Sequence, residues 1–195
     1  MSFAELSLTT QTELMKQFGP ISLVVIQSGS FCNINCDYCY LPNRSVKNRL
    51  SLELIAPIFE KILTSPWLKN HFTVCWHVGE PLAVPISFYR EAMAIVEDIQ
   101  KKLGDSTQID YSFQTNGLFL TQRWCDFIKE HQIHLGVSVD GPAEIHDAHR
   151  KTRTGLGTHE GTMRGIALLQ ENQLEFQVIA VISEISLDYP DEIFH

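Results

Sequence analysis

Short runs of apolar and β-branched residues alternate along the chain with longer segments of helical periodicity. Nearly continuous apolar runs are typical of strands covered on both faces of a parallel sheet. Five such strands are predicted, at residues 22–27, 72–78, 109–115, 134–140 and 176–183. Four helices are predicted between them, at residues 52–63, 85–103, 121–132 and 158–172. This order predicts an α/β fold with right-handed crossovers and a parallel sheet, open or curled toward a barrel.

Three of the predicted helices begin at residues that favour helix N-termini. Ser51 precedes the first helix, with Glu53 in its first turn, and Thr121 precedes the third. A hydroxyl at this position accepts a hydrogen bond from an amide of the first turn. Pro85 stands at the start of the second helix, where a missing N–H costs nothing. These residues therefore fix three of the predicted boundaries.

Composition and charge narrow the class of protein. The chain has 195 residues and a mass of 22.2 kDa, enough for one domain with a sizeable core. Its longest apolar run, residues 21–26, is far shorter than a bilayer span, so we expect no membrane insertion. Residues 1–17 are polar and acidic, unlike a signal peptide, which predicts a cytoplasmic protein. The net charge of −8 argues against nucleic acid as a partner.

Chemically informative residues follow each of the first four predicted strands. In parallel α/β folds, ligands bind beyond the carboxyl ends of the strands. A cysteine-rich segment follows the first strand, and polar turns occur at residues 77–81, 114–117 and 138–142. We therefore expect all four segments to meet at one edge of the sheet.

Three of the five cysteines lie within eight residues, as Cys32, Cys36 and Cys39. An odd, clustered set favours a metal in a reducing compartment over a disulfide framework. Three thiolates on one loop can hold a [4Fe-4S] cluster and leave its fourth iron open. Structural zinc usually takes four ligands, and no fourth Cys or His is well placed. Cys75 and Cys125 have apolar neighbours and are predicted to be small core residues.

The CxxxCxxC spacing after a first strand, with Tyr38 before the last cysteine, resembles the radical S-adenosylmethionine (SAM) superfamily. This resemblance implies a partial (βα) barrel, with a curved parallel sheet and helices outside. It also implies two cofactors, a [4Fe-4S] cluster on Cys32, Cys36 and Cys39, and SAM bound to the open iron. Reductive cleavage of SAM then gives a 5′-deoxyadenosyl radical that takes a hydrogen atom from the substrate.

The resemblance also implies residues that bind SAM. Tyr38 is expected near the adenine. The segment at residues 77–81 is similar to a Gly-Gly-Glu-Pro element that contacts the methionyl amino group. Gly79, Glu80 and Pro81 match it, whereas His and Val replace its leading residues. Short polar side chains after the third and fourth strands are expected to bind the ribose or carboxylate, or to face the substrate. They are Gln114, Asn116, Ser138 and Asp140.

Other interpretations of these polar residues remain open. Asn116-Gly117 and Asp140-Gly141-Pro142 form turns in many folds. Arg150, included among the cofactor-binding residues, is able to pair with a carboxylate bidentately or to stay a solvated loop charge. His77, His146, His149 and His159 are interpreted as polar loop residues.

Longer matches narrow the substrate class. Residues 36–45, 76–82, 138–142 and 157–159 resemble peptide-modifying radical SAM enzymes with a C-terminal SPASM extension, most nearly the cyclophane-forming Grr-type maturases. The resemblance implies a precursor peptide or protein as substrate, a carbon–carbon crosslink as product, and a reductive electron donor as partner. Formylglycine formation by an anaerobic sulfatase-maturating enzyme is an alternative. A non-catalytic iron–sulfur or zinc protein is another.

The domain prediction places a lead-in at residues 1–20 and the radical SAM core at residues 21–195. The family core has six βα units, whereas five strands are predicted here, so the core is expected to be truncated after the fifth strand. Only Cys75 and Cys125 remain, too few for the auxiliary clusters of a SPASM extension. Because the sixth βα unit is expected to be missing, the fifth strand is expected to expose apolar side chains at a sheet edge.

Overall fold

A computed structural model describes Ser7, Thr9, Thr10, Thr12, Glu13 and residues 19–194, with no description of the last side chain. Most of the predicted lead-in lies outside these residues, so its role stays a prediction. No helix in the described part is long and apolar enough to cross a membrane. Cytoplasmic location also stays a prediction.

The described elements alternate between strands and helices, as the sequence pattern predicts. The strands are β1 (Ile21–Ile26), β2 (Leu68–Trp76), β3 (Gln108–Thr115), β4 (His134–Ser138) and β5 (Phe176–Ile179). The α-helices are α1 (Ile55–Leu63), α2 (Ile86–Leu103), α3 (Gln122–Glu130), α4 (Ala143–His149), α5 (His159–Glu171) and α6 (Pro190–Phe194). Short 3-10 turns span Leu52–Leu54, Pro81–Ala83 and Ile185–Asp188.

The five strands form one sheet in the order β1-β2-β3-β4-β5. Strands β3 and β4 are parallel, with Thr115 opposite Val137, and β4 and β5 are parallel, with Ser138 opposite Ile179. Sequential order without a reversal is typical of a barrel sheet rather than a doubly wound one. Of the two predicted forms of the sheet, open or curled toward a barrel, this strand order favours the curled form.

Three details of the predicted elements need correction. The predicted strand at 72–78 begins earlier, at Leu68, and ends at Trp76. The predicted strand at 176–183 ends at Ile179, and the side chains of Val178, Ile179, Val181 and Ile182 are exposed as expected for its edge. Helix α4 was not predicted, because the Asp-Gly-Pro turn before it and its short length of seven residues give no helical period.

The predicted caps are partly confirmed. Ser51 Oγ accepts a hydrogen bond from the Glu53 amide at 3.3 Å. Pro85 directly precedes α2. Thr121 is at the N-cap position of α3, but its side chain makes no capping hydrogen bond, so that part of the prediction is wrong.

The described chain divides into two compact units. The first comprises Met1–Val24, Ser51–Val74 and Ser87–Asp110, and it contains α1 and most of α2. Its buried side chains include Phe59, Phe72 and Tyr89. The regular apolar spacing of α1 and α2 buries one face of each helix.

The second unit comprises Val25–Leu50, Cys75–Ile86 and Tyr111–His195. Aromatic rings form part of its core: Trp124 of α3 makes edge contacts with Phe113 of β3 and with Phe127, at centroid distances of 5.8 Å. Cys125 is buried beside them, which confirms its predicted place in the core, whereas Cys75 on β2 is only partly buried. Every residue predicted to bind a cofactor lies in this second unit.

Candidate functional site

The three clustered cysteines lie on the loop that follows β1. Ile34, between two asparagines, is almost completely buried and pairs with Thr152, which anchors the loop. The Cys32 N–H donates to the Arg44 carbonyl at 2.9 Å, and Arg44 Nη1 donates to the Cys36 carbonyl at 3.0 Å. Arg153 Nη2 donates to the Cys32 carbonyl at 2.9 Å. The backbone of the loop is therefore held in place by the segments around it.

The cysteine side chains are available as ligands. All five cysteines, which lie within the described residues, are free thiols. Cys36 is buried, whereas Cys32 and Cys39 are partly exposed. Burial raises the pKa of the Cys32 thiol to about 11, and burial also raises the pKa of Cys36, with nearby Arg150 opposing. A thiol of this kind gives up its proton when a metal binds.

Among the described side chains, no three His, Cys, Asp or Glu residues form a group that could hold a single metal ion. A [4Fe-4S] cluster differs from a single ion, because each thiolate binds its own iron. Its ligands therefore need to share a loop and need not converge on one point. Cys32, Cys36 and Cys39 meet that requirement.

Tyr38 is fixed by a buried ion pair. Its hydroxyl donates to Asp140 Oδ2 at 2.5 Å and accepts from Arg150 Nη1 at 2.8 Å. Asp140 Oδ1 lies 3.7 Å from the same guanidinium and accepts from the Val181 amide at 3.1 Å. Burial, followed by the hydrogen bond to Asp140, raises the pKa of Tyr38, so its hydroxyl stays a donor at neutral pH.

Arg150 is therefore neither a solvated loop charge nor a bidentate partner of a protein carboxylate. It is 7% exposed, and its Nε is a buried donor with no hydrogen-bond partner among the described residues. Asp140 likewise does more than form a turn, since its carboxylate orients Tyr38. The structure brings Tyr38, Asp140 and Arg150 together from parts of the chain more than 100 residues apart.

The Glu80 carboxylate joins the ends of β2 and β3. It is 2% exposed; one oxygen accepts from the Leu82 amide at 2.9 Å and the Thr115 hydroxyl at 2.7 Å, and the other accepts from the Asn116 amide at 2.9 Å. Burial raises its pKa, and these three donors oppose that shift. Glu80 thus has a positioning role that the sequence did not predict. Its contact with a ligand ammonium stays a prediction.

The residues before Glu80 adopt a constrained backbone. Val78 has a φ of 76° and Gly79 a φ of 72°, both in the left-handed region. A Cβ at Gly79 would collide with the carbonyl oxygen of Gly29, so only glycine fits there. A β-branched residue with such a φ costs about 1–3 kcal/mol and is found mainly at functional sites. Val78, which replaces a leading residue of the Gly-Gly-Glu-Pro element, therefore keeps a left-handed backbone that glycine would adopt more readily.

The side chains after β3 and β4 lie at the same edge of the sheet. Asn116 Nδ2 donates to Asn33 Oδ1 at 2.7 Å and points at Cys32 Sγ from 3.8 Å. Gln114 Nε2 donates to Ser138 Oγ at 2.9 Å across the parallel pair. The predicted meeting of the loops after β1, β2, β3 and β4 is confirmed within the second unit.

His146 is a buried residue that the sequence reading missed. We predicted a polar loop residue, but its side chain is completely buried on α4. Thr158 Oγ1 donates to the Arg150 carbonyl at 2.7 Å, so it accepts from His146 Nε2–H at 3.1 Å. His146 Nδ1 in turn accepts from the Asp140 amide at 3.4 Å. The spacing of four residues between His146 and Arg150 was the available signal, because it places both on one helix face.

Neutral His146, with its proton on Nε2, makes both of these hydrogen bonds. Because a proton on Nδ1 would remove the acceptor of the Asp140 amide, the folded protein is expected to lose stability in acid. Burial, followed by the charge of Arg150, lowers the pKa of His146 from 6.5 to about 4, with Asp140 and Asp147 opposing and His159 reinforcing the shift. The unfolded chain therefore binds an extra proton between these values. The contribution of His146 to the free energy of unfolding is expected to be constant above about pH 6.5 and to fall below it, by at most about 1.4 kcal/mol per pH unit.

Urea unfolding at pH 7.5, 6.5 and 5.5 measures this effect in the wild-type chain and in His146→Gln, which cannot titrate. The variant is expected to be less stable at pH 7.5 but to lose less stability on acidification. Parallel pH profiles for the two proteins would show that His146 does not carry the proton linkage.

Comparisons with known proteins agree with this geometry. The family model described as Radical SAM superfamily matches residues 26–195. An uncharacterized protein of Synechocystis, sll1766, is 53% identical over 179 residues, which cover 91% of this chain and 45% of that protein. A serine-type anaerobic sulfatase-maturating enzyme of Bacteroides thetaiotaomicron is 35% identical over 182 residues, 90% of this chain and 43% of the enzyme.

A solved structure shows the same fold. Native anSMEcpe with bound AdoMet and Kp18Cys peptide matches with a TM-score of 0.79 and 26% identity, over 90% of this chain and 47% of the other. The predicted α/β fold, a partial (βα) barrel, is confirmed by this match. The chain spans less than half the length of each of these relatives. Because the family model covers most of the sequence, the chain belongs to the Radical SAM superfamily, whose members are enzymes that use a [4Fe-4S] cluster and SAM.

Proposed function

We propose that this chain is a radical SAM catalytic core that holds a [4Fe-4S] cluster on Cys32, Cys36 and Cys39. The observation that carries the proposal is the set of three free thiols on one loop, braced by backbone hydrogen bonds from Arg44 and Arg153. The charges of Arg44 and Arg150 favour the thiolate form of Cys36. The Asn116 amide, aimed at Cys32 Sγ, adds a donor of the kind that tunes cluster sulfurs.

The residues around this loop are proposed to bind SAM. Gly79 lets the turn after β2 pack against the backbone of Gly29 and Phe31 beside the cysteine loop, and Glu80 holds that turn in place. The Arg150 Nε is a buried donor without a protein partner, which suits the carboxylate of an amino acid. The proposed set is completed by Tyr38, Gln114, Asn116, Ser138 and Asp140.

When bound, the cluster supplies the electron that cleaves SAM to methionine and a 5′-deoxyadenosyl radical, which removes a hydrogen atom from the substrate. The protein's own contribution is positional. The buried Asp140–Arg150 pair orients the Tyr38 ring beside the cysteine loop. The donors around Glu80 keep the turns after β2 and β3 in register, so that ligands meet a preformed site.

We propose a ribosomally made peptide or protein as the substrate, oxidised at a side-chain carbon. The motif resemblance favours carbon–carbon crosslinking of a precursor peptide. Formylglycine formation is a second candidate, favoured by the 35% identity to a serine-type anaerobic sulfatase-maturating enzyme. A reductive electron donor is required in either reaction.

Reductive SAM cleavage is the direct test of the proposal. We expect the anaerobically reconstituted chain to form 5′-deoxyadenosine from SAM with dithionite, and the Cys36→Ala protein to form none. Bound zinc in place of iron, at one ion per chain, would instead indicate a non-catalytic metal protein. Mass spectrometry of a co-expressed precursor peptide then separates the two reactions: a carbon–carbon crosslink and formylglycine made from serine both lose two hydrogen atoms, but only formylglycine reacts with a hydrazide.

A further inference from the structure

A cavity of about 760 Å³ opens beside the cysteine loop in the second unit. Segments that follow β1, β2 and β3 form its walls. None of the residues proposed to bind the cluster or SAM is among its described lining residues. Phe31, which lines it, directly precedes Cys32 in the chain.

The wall that carries positive charge is rigidly built. Residues 28–30 pair antiparallel with residues 48–50: the Ser30 amide donates to the Asn48 carbonyl at 3.3 Å, and the Leu50 amide to the Ser28 carbonyl at 2.9 Å. A Cβ at Gly29 would lie 2.9 Å from the Asn48 oxygen, so glycine permits this close pairing. Side chains two residues apart on an extended segment share a face, which places Lys47 and Arg49 on one side.

The lining combines an apolar floor with cationic groups. Leu82 and Val84 are buried beneath the cavity, and Phe119 is exposed at 38%. Lys47 Nζ lies 5.4 Å from the centroid of the Phe31 ring. No described lining residue is acidic. This contrasts with the whole chain, which has 23 acidic and 15 basic residues. The cavity therefore favours an anionic group attached to an apolar one.

We propose that this cavity binds an acidic, apolar segment of the peptide or protein that the enzyme modifies. An aromatic or aliphatic side chain of the segment lies between Phe31 and Phe119, and a neighbouring carboxylate pairs with Lys47. The volume is in the range of concave ligand sites, which suits a few side chains rather than the face of a folded acidic protein. The identity of the occupant as substrate rests on the proposed function, but its chemistry rests on the lining.

Isothermal titration calorimetry with synthetic peptides tests this proposal on the chain without added iron or SAM. The probe is Gly-Gly-Asp-Phe-Glu-Gly-Gly, and its neutral control carries Asn and Gln in place of Asp and Glu. The acidic peptide is expected to bind about tenfold tighter at low salt and to lose this advantage at high salt. Lys47→Glu is expected to weaken its binding about tenfold, and Phe119→Ala to weaken both peptides.

Lys61→Glu, on the exposed end of α1, is the matched control and is expected to leave binding unchanged. Equal affinity for the acidic and neutral peptides, or full affinity in Lys47→Glu, would overturn the proposal. Unchanged peptide binding in Lys47→Glu, together with slower reduction of the reconstituted Lys47→Glu protein by an acidic electron-donor protein, would also overturn the proposal. That result would assign the surface to the electron donor. Because calorimetry needs no cluster, its outcome is independent of whether the chain cleaves SAM.

Discussion

Replacing Cys36 by alanine is expected to abolish iron binding, from about four irons per chain to almost none. Cys36 is the buried member of the three, and its backbone carbonyl accepts the hydrogen bond from Arg44 that shapes the loop. Alanine keeps that backbone contact but removes the thiolate. A cluster left with two protein ligands is expected to dissociate during reconstitution.

Iron analysis and the visible absorbance of the thiolate–iron bands measure this effect after anaerobic reconstitution and desalting. Cys75→Ala is the matched control, because Cys75 is a free thiol on β2 outside the loop, and it is expected to retain full iron content. If the Cys36→Ala protein kept its iron and colour, the assignment of the three ligands would be wrong.

Replacing Glu80 by alanine is expected to lower the free energy of unfolding by at least about 3 kcal/mol. The change leaves three donors without their acceptor, the amides of Leu82 and Asn116 and the hydroxyl of Thr115, and each buried unpaired group costs about 1–3 kcal/mol. Glu80→Gln keeps one oxygen as an acceptor and places an NH₂ group opposite the Asn116 amide. The free energy of unfolding is therefore expected to fall less in Glu80→Gln than in Glu80→Ala, by about 1–3 kcal/mol.

Urea denaturation at pH 7.5 measures both variants against Glu91→Ala, an exposed glutamate on α2 that serves as the control. Iron content is expected to fall in Glu80→Ala as well, because Asn116 also contacts Asn33 and Cys32 on the cysteine loop. A fully stable Glu80→Ala protein with an intact cluster and weak SAM binding would instead support the ligand contact predicted from the motif.

The amino-acid sequence by itself determined the local elements and the candidate chemistry. Apolar periodicity predicted five strands and four helices, because strands buried on both faces and amphipathic helices leave repeating patterns over short distances. The CxxxCxxC spacing predicted the cluster ligands from the sequence alone, since three ligands on one loop need no distant partner. The turns after β2, β3 and β4 were also predicted to share one edge, which follows from strand direction alone.

Only the tertiary structure decided what the polar side chains of this edge do. Tyr38 and Asp140 are 102 residues apart, and Asn116 and Cys32 are 84 apart, so no local pattern shows that they bond. Glu80 matched a ligand-binding motif, yet its carboxylate already accepts hydrogen bonds from protein donors at the ends of two strands. His146 has a polar sequence context but a buried position, because α4 packs it between Asp140 and Thr158. These assignments depend on crossovers that bring distant turns together, and that geometry is set by packing of the whole unit rather than by any single segment.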